Sequence, residues 1–149
     1  PDANSTMRLS YGVIKGFKPR DAVEYNYFTT IDGLMLKEDP TSEDFVVPEA
    51  LKKLYKQRDF GRYGENGTLV VCFLTNNDIT RGNSGSPVLN GNGELIGLAF
   101  DKNWEATTSD YVYLPDVQRS IVVDVRYVLF IMDKMMNAQR ILNELDIRS

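Results

Sequence analysis

Along most of this chain the hydrophobic pattern has a short period, and it turns helical only near the end. Residues 7–17 alternate imperfectly and include Gly12 and Gly16, which predicts a β-leaning segment with bends or bulges. Residues 24–35 are rich in Tyr, Phe and Thr and are also β-leaning, with a turn signal at Asp32-Gly33. Residues 37–44 are polar and contain Pro40, as a loop does, and residues 48–55 read as a short helix opened by Pro48. The apolar run 69–74 predicts a buried strand, followed by a polar turn at 75–78. Two Asn-Gly pairs, Asn90-Gly91-Asn92-Gly93, separate Pro87-Val88-Leu89 from the apolar run 95–100. That is a hairpin signal, because Asn and Gly tolerate the positive φ of tight turns. Residues 120–123 form one more strand.

From about residue 124 to 145 the period becomes helical. Val128, Leu129, Ile131, Met132, Met135, Met136, Ala138, Ile141, Leu142 and Leu145 form a broad apolar face, with Asp133, Lys134 and Arg140 outside it. The stripe reads as core or subunit contact. Short strands followed by a terminal helix suit an antiparallel barrel closed by that helix.

At 149 residues, 42% hydrophobic and 26% charged, the chain has the size and composition of one folded domain. Its net charge is −4 and its basic residues are scattered, which argues against a nucleic-acid footprint. No apolar stretch approaches the roughly 20 residues of a membrane-spanning helix. The single cysteine, Cys72, lies inside the 69–74 run, where a small core residue is expected and an internal disulfide is impossible. No His or Cys cluster suggests zinc, and Gly91-Asn92-Gly93 lacks the third glycine of a dinucleotide loop, so no metal and no cofactor is expected. Asn4-Ser5-Thr6 and Asn66-Gly67-Thr68 match a glycosylation pattern and are read as chance. The chain opens Pro1-Asp2-Ala3-Asn4, with neither initiator Met nor signal peptide, which is expected of a fragment.

The most telling count is zero histidines. A serine nucleophile of the triad type needs a neutral imidazole to accept its proton near pH 7, so such chemistry must borrow the base from elsewhere. A candidate nucleophile is nonetheless present. Gly82-Asn83-Ser84-Gly85-Ser86-Pro87 fits Gly-x-Ser-Gly-x-Pro, in which glycines let the backbone turn sharply and aim amide N–H groups beside the Ser hydroxyl. The hexapeptide resembles the nucleophile loop of chymotrypsin-like peptidases. That resemblance makes Ser84 the nucleophile, with the backbone amides of Gly82 and Ser84 as the oxyanion hole. Ser86 is the weaker nucleophile candidate. Asn83 stands where many trypsin-like enzymes have Asp, so an ion pair to a free N-terminus is not expected.

The longer stretch 75–106, the segment Val123-Asp124-Val125-Arg126-Tyr127-Val128-Leu129-Phe130 and the opening residues 1–12 resemble the bacterial dipeptidyl-peptidase family that includes dipeptidyl-peptidases 7 and 11. The resemblance covers essentially the whole chain. It implies a mainly β fold, with residues 1–149 forming the second six-stranded antiparallel barrel of a chymotrypsin-like double barrel, closed by a C-terminal helix. It further implies a serine exopeptidase, exported to the periplasm or cell surface and usually homodimeric, that releases dipeptides from the free N-terminus of peptides. The triad His and Asp belong to an upstream barrel, so this chain alone is expected to be inactive.

Counting outward from the hairpin turn sets Ala99 roughly opposite Ser84 and Asp101 opposite Gly82, which brings Asp101 and Lys102 beside the scissile bond. The resemblance assigns Asp101 to the substrate's N-terminal amine and Lys102 to the S1 pocket for the second substrate residue. Members that prefer apolar residues typically have Gly there, and members that prefer Asp or Glu have Arg. Lys102 departs from both but keeps the positive charge, so an Asp/Glu preference is expected, weaker than Arg would give. Asn103 is a further substrate-binding candidate, and Trp104 either lines the cleft or packs in the core. Two other readings stand beside this one: a non-catalytic β-barrel module that binds peptides or proteins, and a Ser–Lys hydrolase with Lys102 as base, which the adjacent Asp101 disfavours.

Overall fold

A computed structural model describes residues 6–148 of the chain. Its elements run β1 (Phe17–Arg20), β2 (Val23–Tyr25), β3 (Phe28–Thr30), α1 (Ile31–Leu36), α2 (Glu49–Gln57), β4 (Val70–Thr75), β5 (Pro87–Leu89), β6 (Leu95–Lys102), β7 (Ser120–Asp124), α3 (Val125–Lys134) and α4 (Gln139–Leu142). The chain gathers into two compact units, one made of residues up to Thr29 together with 72–124, the other of 30–71 together with residues from Val125 onward.

The first unit carries most of a five-stranded sheet of order β3-β4-β7-β6-β5. β5 and β6 form the hairpin expected from the Asn-Gly pairs. Asn90 closes it: its amide donates to the Glu94 carbonyl at 2.9 Å, and its side-chain oxygen accepts the amides of Asn92 and Glu94. β6 then pairs antiparallel with β7, and β7 with β4. Gly97 sits where β6 crosses its neighbours. A Cβ there would lie 2.5 Å from a Val122 methyl and 2.6 Å from the Val123 carbonyl oxygen, so only glycine allows this approach. Cys72 is half-buried in β4.

The fold is mainly β, with two antiparallel sheets and a few helices, and the expected closed six-stranded barrel is not formed. Strands β1 and β2 make a separate two-stranded sheet. The reason lies in the first 20 residues. Pro19 removes a backbone donor from β1, and the β1–β2 register is irregular between Phe17 and Arg20. Among the described residues, the stretch before β1 pairs with β4 through an isolated Ile14–Thr75 bridge rather than a continuous ladder. Residues 7–11 are exposed and join no strand. The Asn4-Ser5-Thr6 pattern and the opening residues 1–5 lie outside the described residues.

The second unit is helical around an apolar core of Ile31, Leu51, Phe60, Leu69, Leu129 and Phe130, among others. Helix α2 follows Pro48 as expected and ends where Arg58 turns left-handed at φ 52°. Asp32-Gly33, read from sequence as a turn, lies instead inside α1. Asp32 occupies the first turn of that helix, where a carboxylate is favoured, and accepts hydrogen bonds from Thr68, Tyr55 and Arg58. The single C-terminal helix is broken in two. Asn137 adopts φ 49°, and the last turn of α3 widens, with the Met136 amide donating to Ile131 and the Ala138 amide to Met132. Because of that break, Met136, Ile141 and Leu145 of the predicted apolar face are exposed. Phe130, which that face omits, is fully buried.

Candidate active site

The candidate site lies wholly within the first unit, on the loop between β4 and β5 and the outer end of β6. Asn83 organises the loop. Its side-chain oxygen accepts the Thr80 amide at 2.8 Å, its own amide donates to the Thr80 carbonyl, and its carbonyl accepts the Ser86 amide at 2.9 Å. Gly82 and Gly85 flank the serine at φ 86° and 84°, a conformation that side chains disfavour. Past the turn the loop joins the sheet edge. The Gly85 amide donates to the Ala99 carbonyl at 2.7 Å, and the Ala99 amide donates to the Ser86 carbonyl.

Ala99 therefore faces Ser86, two residues from the register expected for Ser84, because an irregularity at Val88/Leu89 absorbs part of the count. The displacement is small enough to keep the site together. Ser84 is exposed, and its hydroxyl donates to the Phe100 carbonyl at 3.2 Å. Among the described residues, the amides of Gly82 and Ser84 meet no protein acceptor.

A second irregularity shapes the opposite wall. Ala99 pairs with Val122 and Asp101 with Ile121, so Phe100 is an extra residue in β6. Such a bulge bends the strand and redirects its side chains. The result is an open cleft of about 560 Å³ lined by Arg81, Gly82, Ser84, Phe100, Asp101 and Lys102. Asn103, Trp104 and Asp110 continue the lining. Of the two readings of Trp104, the structure fits the cleft one, since the residue lines the cleft and is 86% exposed rather than packed in the core.

The charged groups divide into paired and unpaired. The Lys102 side chain is only 21% exposed, and its ammonium donates to the Ser109 hydroxyl and to the Asp110 carboxylate at 3.2 Å. Asp101 is exposed and accepts the Lys102 backbone amide at 2.7 Å, which leaves its other oxygen open to the cleft. Asn103 acts as scaffold. Its amide group donates to Glu105 and to the Val117 carbonyl, and its oxygen accepts the Arg119 amide. No three His, Cys, Asp or Glu side chains among the described residues are grouped to hold a metal ion, and no helix is long and apolar enough to cross a membrane.

Sequence reasoning missed the support behind this wall. The Arg119 guanidinium is buried and donates to the carbonyls of Lys15, Gly16, Pro115, Asp116 and Gln118, pinning the loop 103–119 from behind. Burial pushes its pKa down from the ordinary arginine value. Nothing in a lone Arg flags such a role. Asp110, which answers Lys102, was equally silent in sequence.

Comparison with known proteins places this geometry in a family. The description Peptidase S46 matches residues 1–147. A dipeptidyl-peptidase 7 of Phocaeicola vulgatus is 57% identical over 99% of this chain, and an Asp/Glu-specific dipeptidyl-peptidase of Porphyromonas gingivalis is 54% identical over 99%. Among solved structures, Porphyromonas endodontalis DPP11 in complex with substrate superposes with a TM-score of 0.91 at 50% identity, covering 97% of this chain. In each case the chain spans about a fifth of the relative's length (20%, 21% and 21%).

Proposed function

Since the chain belongs to the Peptidase S46 family, we propose that it is the nucleophile-bearing part of a serine dipeptidyl-peptidase that releases dipeptides from the free N-terminus of peptides. The observation that carries this reading is the placement of Ser84: exposed, on a glycine-flanked turn, beside amides of Gly82 and Ser84 that have no acceptor among the described residues. In the proposed reaction the Ser84 Oγ attacks the carbonyl carbon of the second residue. The hydroxyl proton passes to an imidazole, and the oxyanion is received by the Gly82 and Ser84 amides. Collapse of the tetrahedral intermediate breaks the peptide bond, and the leaving amine takes the proton. Water then hydrolyses the acyl-enzyme and frees the dipeptide.

This chain has no histidine, so the imidazole and its Asp partner come from an upstream barrel of the same protein, and residues 1–149 alone turn over no substrate. Asp101 holds the substrate ammonium. An extended dipeptide reaches roughly 7 Å, which is compatible with an anion elsewhere in the same cleft as Ser84. Lys102 borders the pocket for the second residue, and the cationic groups there favour Asp or Glu, as the names of several relatives suggest by analogy. The full-length protein acts as a homodimer in the periplasm or at the cell surface.

The test is Ser84→Ala in the full-length protein. Release of a fluorogenic dipeptide should fall by at least about 10⁴-fold, while the melting temperature stays unchanged. Retention of activity would overturn the reading. In the same assay Asp101→Asn should raise KM severalfold, and an acetylated N-terminus should block cleavage.

A further inference from the structure

The loop that carries Ser84 is suspended between two attachments of different kinds. Its far end is fastened by backbone, through the bonds of Gly85 and Ser86 to Ala99. Its near end leaves β4 after Thr75 and is fastened mostly by side chains. The Tyr113 hydroxyl donates to the Asn76 carbonyl at 2.9 Å, and the Ser120 hydroxyl donates to the Asn77 carbonyl at 2.6 Å. Asn76 in turn grips Val13 from both sides. Its side-chain oxygen accepts the Val13 amide at 2.7 Å, and its own amide donates to the Val13 carbonyl at 3.2 Å. Among the described residues, the backbone of residues 78–84 bonds within the loop alone, at Thr80, Asn83 and Ser86. We propose that Asn76, held by Val13 and by the Tyr113 hydroxyl, is a positioning residue for Ser84. It sets where the loop leaves the sheet, and hence where the Ser84 hydroxyl and the Gly82 and Ser84 amides stand, a role that rests on the peptidase reading above.

Asparagine suits this junction. Its short side chain supplies the acceptor that a continuing strand would offer from its backbone, so pairing with Val13 extends one residue past the Ile14–Thr75 bridge while the chain turns away. Gly12 is matched to it. A Cβ at residue 12 would lie 2.4 Å from the Asn76 side-chain oxygen and 2.9 Å from the Asn77 nitrogen, so a larger residue forces the contact open. Tyr113 belongs to the 103–119 loop that Arg119 pins behind the cleft wall, and Arg119 also holds the Lys15 and Gly16 carbonyls. Wall, nucleophile loop and the 13–16 stretch are thereby referenced to one point. A hydroxyl and its oxyanion donors need placement to within roughly 0.5 Å, and a loop bonded mainly to itself takes that placement from its ends.

The experiment uses the full-length protein and a fluorogenic dipeptide. Asn76→Ala should lower kcat by about tenfold to a hundredfold and leave KM within about twofold. Asn76→Asp keeps an acceptor for the Val13 amide and should hold kcat within about threefold of the parent. Gly12→Ala should reproduce the Asn76→Ala loss. Tyr113→Phe, which deletes one exposed hydroxyl without threatening the fold, should lower kcat about threefold. Labelling of Ser84 by a fluorophosphonate should slow in the same order, which reads the nucleophile apart from peptide binding. Hydrogen exchange of the 78–84 amides should quicken in Asn76→Ala while β6 and β7 exchange as in the parent. The proposal is overturned if Asn76→Ala keeps the parent kcat, if Asn76→Asp loses as much as Asn76→Ala, or if the loss lies in KM or comes with faster exchange across β6 and β7. Should Asn76→Ala fail to fold, Tyr113→Phe decides, and an unchanged kcat and labelling rate there overturn it. Turnover that survives Ser84→Ala removes the peptidase reading and this role with it. An inactive Ser84→Ala protein beside a fully active Asn76→Ala protein removes the role of Asn76 alone.

Discussion

The two units are stabilised by opposite means. Among the described residues, the buried polar and charged side chains Thr75, Gln118, Arg119, Ser120 and Asp124 belong to the first unit, whereas the contiguous apolar core around Phe130 belongs to the second. In the second unit Phe60, Tyr63 and Tyr127 set their rings 6.2–6.5 Å from Phe130, centroid to centroid. In the first, long loops are fixed by Arg119, Gln118 and Asn103 bonding to backbone groups. The contrast teaches where a site can be built. Apolar packing is tolerant of small shifts and non-directional, so it makes a good foundation. A cleft that aligns a hydroxyl, two amides and several charges needs directional bonds that fix loops in one place.

The largest test of this contrast is Phe130→Ala. Removing a fully buried ring from the second unit should cost about 3–5 kcal/mol, measured as faster native-state hydrogen exchange of α2 and α3 amides in the full-length protein. Arg119→Met should cost somewhat less, about 2–4 kcal/mol, because it strands buried carbonyls without donors. Its exchange signature should be confined to residues 103–119 and the 13–16 stretch. If both variants loosen both units alike, the division of labour is wrong. Gly97→Ala is expected to cost about 1–3 kcal/mol, since the new methyl must displace Val122 or the Val123 backbone. Thermal melting would register it, and a neutral result would mean that β6 and β7 part more easily than their spacing implies.

The regions differ in legibility for the same reason. The hairpin at Asn90–Glu94, strands β4 and β7 and helix α2 could be read in advance, because each is encoded by local chemistry: Asn-Gly turns, β-branched runs, a proline start. The Ser84 loop was legible as a motif. The Lys102–Asp110 pair and the Arg119 clamp were not, since both join residues that no short-range pattern links. The barrel expectation failed on a similar point: closure depends on long-range ladders, and Pro19 with the irregular β1–β2 register prevents one. The C-terminal stripe misled because hydrophobic periodicity does not register a break at Asn137.

The smallest predicted effect separates electrostatics from packing within the second unit. Asp32 accepts hydrogen bonds from Thr68, Tyr55 and Arg58, and these hold its pKa at about 2, below the ordinary 3.8. A depressed carboxylate pKa contributes stability that is fully present above the unfolded value and disappears as pH falls through the folded one. The full shift corresponds to roughly 2.5 kcal/mol, but the side chain is 39% exposed and solvent screens it, so about 1 kcal/mol is the realistic share. Asp32→Asn removes the charge and keeps one acceptor oxygen, enough for either Thr68 or Tyr55, which bond to different oxygens of the carboxylate. The stability difference between parent and variant should then be constant above about pH 4 and vanish toward pH 2, as followed by denaturant titration at each pH. A difference that persists unchanged at pH 2 would assign the role of Asp32 to hydrogen-bond geometry and packing alone, and would make the second unit apolar in its energetics as well as in its core.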